Sequence, residues 1–125
     1  MKVTLSRSLP LALVAIAFTL TTGAVGNCTA VGPEGPLLSN GSGSLFGTAP
    51  CGGNGGGTVY ELTPATGGSW TFDLLFSFPG LSSGTPAGPL TSDANGDLFG
   101  TTLFGGSSGS QWGTVFELSP TAAEK

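Results

Sequence analysis

Histidine is absent from this chain, and basic side chains nearly so: three Lys and Arg stand against seven Asp and Glu in 125 residues. Without an imidazole there is no Ser-His-Asp triad, no Cys-His pair and no His-rich zinc site. Lys2 and Arg7 lie in the first seven residues, so from Val25 onward one cation, Lys125, faces seven acids, a formal charge of −6. A surface of that sign repels phosphates and excludes nucleic acid and anionic membranes as partners. The two cysteines, Cys28 and Cys51, are too few ligands for a metal centre in a chain without His. Helical periodicity is missing after Val25, and the long apolar run is confined to Leu9–Leu20.

That run, LPLALVAIAFTL, follows Lys2 and Arg7 and precedes the small residues Thr22 and Ala24. Twelve apolar residues suit the core of a signal peptide and are short for a bilayer span. The expected cut is after Ala24, with a cut after Gly26 as the alternative. An uncleaved anchor or buried helix lacks a helical partner later in the chain. A lipid anchor on Cys28 needs a small residue before it, where Asn27 stands. Residues 1–24 are therefore expected to be removed on export, leaving a β-repeat domain over 25–125 with no membrane attachment after cleavage. In an oxidising compartment Cys28 and Cys51 are expected to form one disulfide closing a loop of about 23 residues.

Self-comparison shows a repeat. Shifted by 53, Pro33–Gly53 overlays Pro86–Gly106 with 12 of 21 positions identical, including the block LFGT. Shifted by 56, GTVYELTP (Gly57–Pro64) overlays GTVFELSP (Gly113–Pro120) with six of eight identical. The first copy spans about 33–85 and the second about 86–120. The 23 glycines and nine prolines, which would otherwise point to disorder, thus fall at recurring places where turns need them.

Between these turns the pattern alternates. Trp70, Phe72, Leu74, Phe76 and Phe78 are expected on one face of a strand, with Leu75 the exception on the other. Pro36–Ser39, Ser44–Thr48 and Thr58–Thr63 complete four strands in the first copy. Pro89–Ser92, Asp97–Thr102 and Thr114–Ser119 give three in the second. Asn40–Gly43 and Asp93–Gly96 are expected as hairpin turns. The fold class is all-β: about two four-stranded antiparallel, propeller-like blades, the second incomplete.

The blocks GPLTSDANGDLFGTT, GG and GTVFELSP, with SWTFDLLFSF before them, resemble the GloVer tandem repeat of exported bacterial proteins. The resemblance covers about Pro33 to Pro120. It implies a propeller-like architecture, export and surface association, and no established enzymatic activity. The family carries the phrase many times, whereas a closed propeller takes about four to eight blades. This chain is then a short or truncated member, and its uncovered blade faces lead to an expectation of self-association or of pairing with other β-repeat chains. The strand missing beside Thr114–Ser119 leaves an edge open to a partner strand.

Four features bear on chemistry. Asp93, Asn95 and Asp97 have the oxygen-ligand spacing of a calcium loop, but Leu98 replaces the expected Gly and Phe104 the bidentate Glu. The preferred reading is a turn, with calcium as the weaker alternative. Glu61 and Glu117 occupy equivalent strand positions and are expected to be separate, solvated carboxylates rather than a glycosidase pair. Gly52–Gly57 lacks the Lys and helix of a phosphate loop and is expected to be a flexible connection. Trp112 is expected to pack on a neighbouring blade, the alternative being an exposed ring that stacks on sugars. Asn27 and Asn40 head glycosylation-type triplets, which matter only in a host that glycosylates. No catalytic residue and no cofactor is expected. The function expected is a non-catalytic exported module for surface adhesion, scaffolding or ligand binding, possible ligands including carbohydrate. The alternatives are a fragment without independent function and a secreted carboxylate-based glycan hydrolase or lyase.

Overall fold

Short runs of alternating apolar and polar residues, cut by glycine turns, form strands in this chain and little else. A computed structural model describes residues 2–3, 32–80, 84–106 and 112–120. The strands are β1 (Lys2–Val3), β2 (Leu38–Ser39), β3 (Leu45–Ala49), β4 (Thr58–Pro64), β5 (Trp70–Ser77), β6 (Thr91–Ser92), β7 (Leu98–Thr102) and β8 (Thr114–Leu118). A 3-10 turn, Thr66–Gly68, joins β4 to β5. The rest of the segment expected to be a signal peptide, and Cys28, lie outside the described residues.

All pairings are antiparallel. The first sheet runs β1-β5-β4-β3-β2 and the second β6-β7-β8, leaving β8 at an edge among the described strands. Neither sheet closes into a barrel, and the described strands form no closed propeller. Each of the seven expected strand segments is a strand, with bounds shifted by a residue or two. The eighth, β1, falls in the segment expected to be a signal peptide: Lys2 and Val3 pair with Thr71 and Trp70. Its physical basis is the open row of backbone donors and acceptors on β5, which any extended segment satisfies.

The two sheets share a register. Leu45, Phe46, Gly47 and Thr48 face Leu62, Glu61, Tyr60 and Val59. Leu98, Phe99, Gly100 and Thr101 face Leu118, Glu117, Phe116 and Val115 in the same order. A Cβ at Gly47 would collide with the Tyr60 ring and Leu37, and one at Gly100 with the Phe116 ring and Leu90. Both glycines therefore let an aromatic ring lie flat over the strand.

One expectation about faces is corrected. Residues opposite each other on a ladder share a face, and the β4–β5 register slips between Val59 and Tyr60, where Phe76 and Leu74 are the partners. Leu75 is the extra residue of a β-bulge. Trp70, Phe72 and Leu74 consequently stand with Tyr60 and Leu62, while Phe76 stands with Val59 on the opposite face. The Tyr60 and Phe72 rings stack at 5.7 Å. Phe76 and Phe78 meet edge-on at 4.9 Å. The five apolar groups thus serve two faces.

The core lies between the sheets. Val59, Phe78 and Leu90 are buried, and Leu38, Phe46, Phe116 and Leu118 pack around them. The Phe78 ring meets Phe116 of the second sheet edge-on at 5.2 Å.

Gly52–Gly57 is also not the loose connection expected. Gly56 and Gly57 are buried. Gly56 N–H donates to Phe78 O (3.2 Å), Phe78 N–H to Gly57 O (2.9 Å), and Thr85 N–H to Gly56 O. A Cβ on Gly56 would strike the Phe78 and Gly80 carbonyls, so glycine is what allows this backbone to enter the junction of the two sheets.

At that junction Thr85 has a φ of 62°, a conformation costly for a β-branched residue. Its Oγ1 is buried without a hydrogen-bond partner. The residue 53 positions earlier is Gly32. Thr85→Gly removes both penalties and is expected to stabilise the fold by about 1–2 kcal/mol after the entropy lost to glycine, read as a higher urea midpoint at unchanged slope.

Candidate functional site

The turns that precede β3 and β7 are built alike from different residues. In the first, Asn40 Oδ1 accepts N–H bonds from Ser42 (3.2 Å) and Ser44 (2.8 Å). In the second, Asp93 Oδ1 accepts them from Asn95 (2.9 Å) and Asp97 (3.0 Å). Asp93 Oδ2 also accepts from Asn95 Nδ2 at 3.1 Å. Both carboxylate oxygens of Asp93 are thus engaged by turn donors, and a neutral Asn supports the same geometry in the first sheet. Turn formation accounts for Asp93 and Asn95 without an ion. Among the described residues no group of three or more His, Cys, Asp or Glu is placed to hold a metal.

The two turns border a cleft of about 570 Å³ between the sheets, lined by Asn40, Phe46, Glu61, Leu75, Gly96, Leu98 and Glu117 among others. Glu61 and Glu117 both border it, but from different sides of their ladders: Glu61 shares the inward face of Phe46 and Val59, and Glu117 the outward face of Phe99 and the exposed Val115. Thr63 Oγ1 donates to Glu61 Oε1 at 3.3 Å, and Ser119 Oγ to Glu117 Oε1 at 3.1 Å. Each carboxylate is therefore oriented by the hydroxyl two residues on, on the same side of its own strand. Apolar walls with one inward acceptor group, Glu61, and a second carboxylate at the border suit a neutral, hydroxyl-rich or cationic ligand and disfavour an anion.

Trp112 is 90% exposed, which corrects the expectation that it packs on a blade. It opens the approach to β8, and the β7–β8 loop also exposes Leu103 and Phe104. With a ring face free, Trp112 is available for stacking. Cys51, at the far end of β3, is buried, and its sulfur is in a disulfide. Among the described residues no helix is long and apolar enough to cross a membrane.

Tyr60 is the chain's one tyrosine, and burial raises its pKa above the ordinary 10.0. The folded state thus holds the phenol proton more tightly than the unfolded state. Its contribution to stability is complete below pH 10.0 and is lost as pH rises through the folded value. Phe116 fills the corresponding place in the second sheet, so Tyr60→Phe is expected to fold and to lose most of this alkaline decline. Tyrosinate absorbance against pH, together with thermal melts of both forms, reads the effect.

Comparison of the chain with family models, with curated proteins and with solved structures found no match.

Proposed function

We propose that this chain is an exported, non-catalytic β-repeat module, resembling the GloVer-type repeat, that scaffolds or binds ligand at the cell surface. The observation that carries the reading is recurrence. One turn, one ladder register and one glycine-under-ring contact appear in both sheets. Repetition of this kind makes a surface of regularly spaced positions, as blades and solenoid units do. On this reading the two sheets are blade-like units, the second without its fourth strand, and the leader directs export to a compartment that keeps Cys51 oxidised.

The exposed Trp112 ring and the acceptor-lined cleft favour carbohydrate as the ligand. The test is retention of the exported protein on immobilised insoluble polysaccharides, with release of reducing ends assayed on the same samples. Retention without release is expected, and Trp112→Ala is expected to weaken it by up to about tenfold, a loss of roughly 1.4 kcal/mol in stacking and contact area. Equal retention of the variant would remove Trp112 from the binding surface.

A second reading rests on Glu61 and Glu117 bordering one cleft, which a glycan hydrolase or lyase would require. Release of reducing ends by the wild type, abolished by either Glu61→Gln or Glu117→Gln, would favour it over the binding module. A third reading, a fragment without independent function, is favoured by failure of the exported chain to melt cooperatively.

A further inference from the structure

Asparagine followed by glycine exposes an amide side chain to attack by its own backbone, because glycine places no Cβ beside the attacking nitrogen. The chain holds three such pairs, Asn40-Gly41, Asn54-Gly55 and Asn95-Gly96, and the fold treats them differently. The nucleophile is the glycine amide nitrogen, which must first give up its proton. Gly55 N–H donates to Gly52 O at 3.0 Å and Gly96 N–H to Asp93 O at 3.2 Å. Gly41 is exposed, and its N–H has no hydrogen-bond partner among the described residues. A Cβ built on Gly41 would meet nothing within 4 Å, so water reaches this nitrogen freely.

The groups under attack differ as well. Asn40 Oδ1 accepts three hydrogen bonds, from Ser42 N–H at 3.2 Å, Ser42 Oγ at 2.8 Å and Ser44 N–H at 2.8 Å. Attack at Cγ moves negative charge onto that oxygen, and donors already aimed at it stabilise the charge as it forms. The bond to Ser42, two residues on, also folds the side chain back along the peptide that carries the Gly41 nitrogen. Asn95 has the opposite surroundings. Its Nδ2 donates to Asp93 Oδ2 at 3.1 Å, which ties down the leaving group beside a carboxylate that repels a second negative charge.

We propose that Asn40 is a site of self-modification, converting to aspartate or isoaspartate in the folded protein while Asn54 and Asn95 persist. Gly41 N loses its proton to water or hydroxide and bonds to Cγ. The Cγ–Nδ2 bond then breaks, and the side-chain nitrogen takes a proton from water and leaves as ammonia. Water opens the cyclic imide at either carbonyl. Opening at Cγ restores the backbone and leaves aspartate; opening at the backbone carbonyl leaves isoaspartate, with the chain routed through the side chain. No oxidant or reductant takes part, and the net change is NH2 replaced by OH.

The two products act differently on the turn. Aspartate is what the second sheet already carries: Asp93, 53 positions on, accepts the matching N–H bonds from Asn95 and Asp97. The turn therefore survives with one more negative charge at the cleft that Asn40 and Glu61 line. Isoaspartate lengthens the backbone inside the turn, at the expense of the Asn40 N–H bond to Ser44 O that closes it. Aged molecules thus present a more acidic cleft, or a broken turn. The inference is independent of what the cleft binds.

The experiment is incubation of the exported chain at mildly alkaline pH, folded and in concentrated urea, with peptide mass spectrometry of the three Asn-Gly sites over time. In the folded chain Asn40 is expected to convert at least about tenfold faster than Asn54 and Asn95, whose nucleophiles are freed only by local opening. In urea the three are expected to convert at similar rates. Ser42→Ala removes one donor at an exposed position and is expected to slow Asn40 by about three- to tenfold. Circular dichroism confirms that it is folded, and Asn40→Asp, expected to fold like the wild type, serves as the product standard. An Asn40 that converts no faster than the other two in the folded chain, or a Ser42→Ala variant with an unchanged rate, would overturn the proposal. An Asn40→Asp variant that does not fold would overturn the retained turn.

Discussion

Phe78→Ala is expected to cost about 3–5 kcal/mol, the largest effect of any single truncation in the core. The side chain is 6% exposed. Its ring meets Phe76 of its own sheet at 4.9 Å and Phe116 of the second at 5.2 Å. No other ring is in edge-on contact with both sheets among the described residues. Removing it opens a cavity at the one place where the sheets interlock, and small domains hold only about 5–15 kcal/mol in total. The backbone bonds from Phe78 to Gly56 and Gly57 survive in the alanine variant, so the loss is one of packing. Urea denaturation measures it. Phe104→Ala is the comparison: that ring is 38% exposed and its removal is expected to cost under about 1 kcal/mol. Equal costs for the two would mean that the intersheet contact contributes little.

Cys51→Ser is expected to cost about 3 kcal/mol, the entropy of a closed loop of about 23 residues. Cys51 is buried and disulfide-bonded. The loop size is that of the expected pairing with the chain's other cysteine, Cys28. A thiol reductant should therefore lower the denaturation midpoint of the wild type by the same amount as the substitution does. It should leave the midpoint of Cys51→Ser unchanged. Intact mass of the exported chain gives the companion result: cleavage after Ala24 and two hydrogens fewer than the free dithiol. Free thiols in the exported protein would defeat the oxidation half, and a retained leader the cleavage half.

Strands and turns were legible because the physics that makes them is local. Thr-Val-Tyr-Glu-Leu and its copy alternate over five residues, and Asn40 and Asp93 each announce a turn whose side-chain bonds the structure shows. The faces of β5 were only half legible. Leu75 broke the alternation in the sequence, and that break was the mark of the bulge, but a run of apolar residues does not say where the register slips. The Gly52–Gly57 segment looked loose because glycine permits both freedom and close approach; only the neighbouring carbonyls of Phe78 and Gly80 decide which. The joint cleft of Glu61 and Glu117 depends on how one sheet sits on the other, which no local pattern encodes. Trp112 illustrates the converse. An indole is ordinarily drawn into a core, and its exposure follows from the course of a loop rather than from its chemistry.

The packing of the two like-built sheets on each other is the premise of the proposed function. Nuclear Overhauser contacts in the isotope-labelled exported protein test it most directly. Cross-peaks are expected between the ring protons of Phe78 and Phe116 and between the methyl groups of Val59 and Leu90, with Val115 showing none to any first-sheet core residue. Intrasheet peaks from the Tyr60 ring to Gly47 serve as the internal reference. Their presence without the Phe78–Phe116 and Val59–Leu90 peaks would contradict the account, because the sheets would then form without packing on each other.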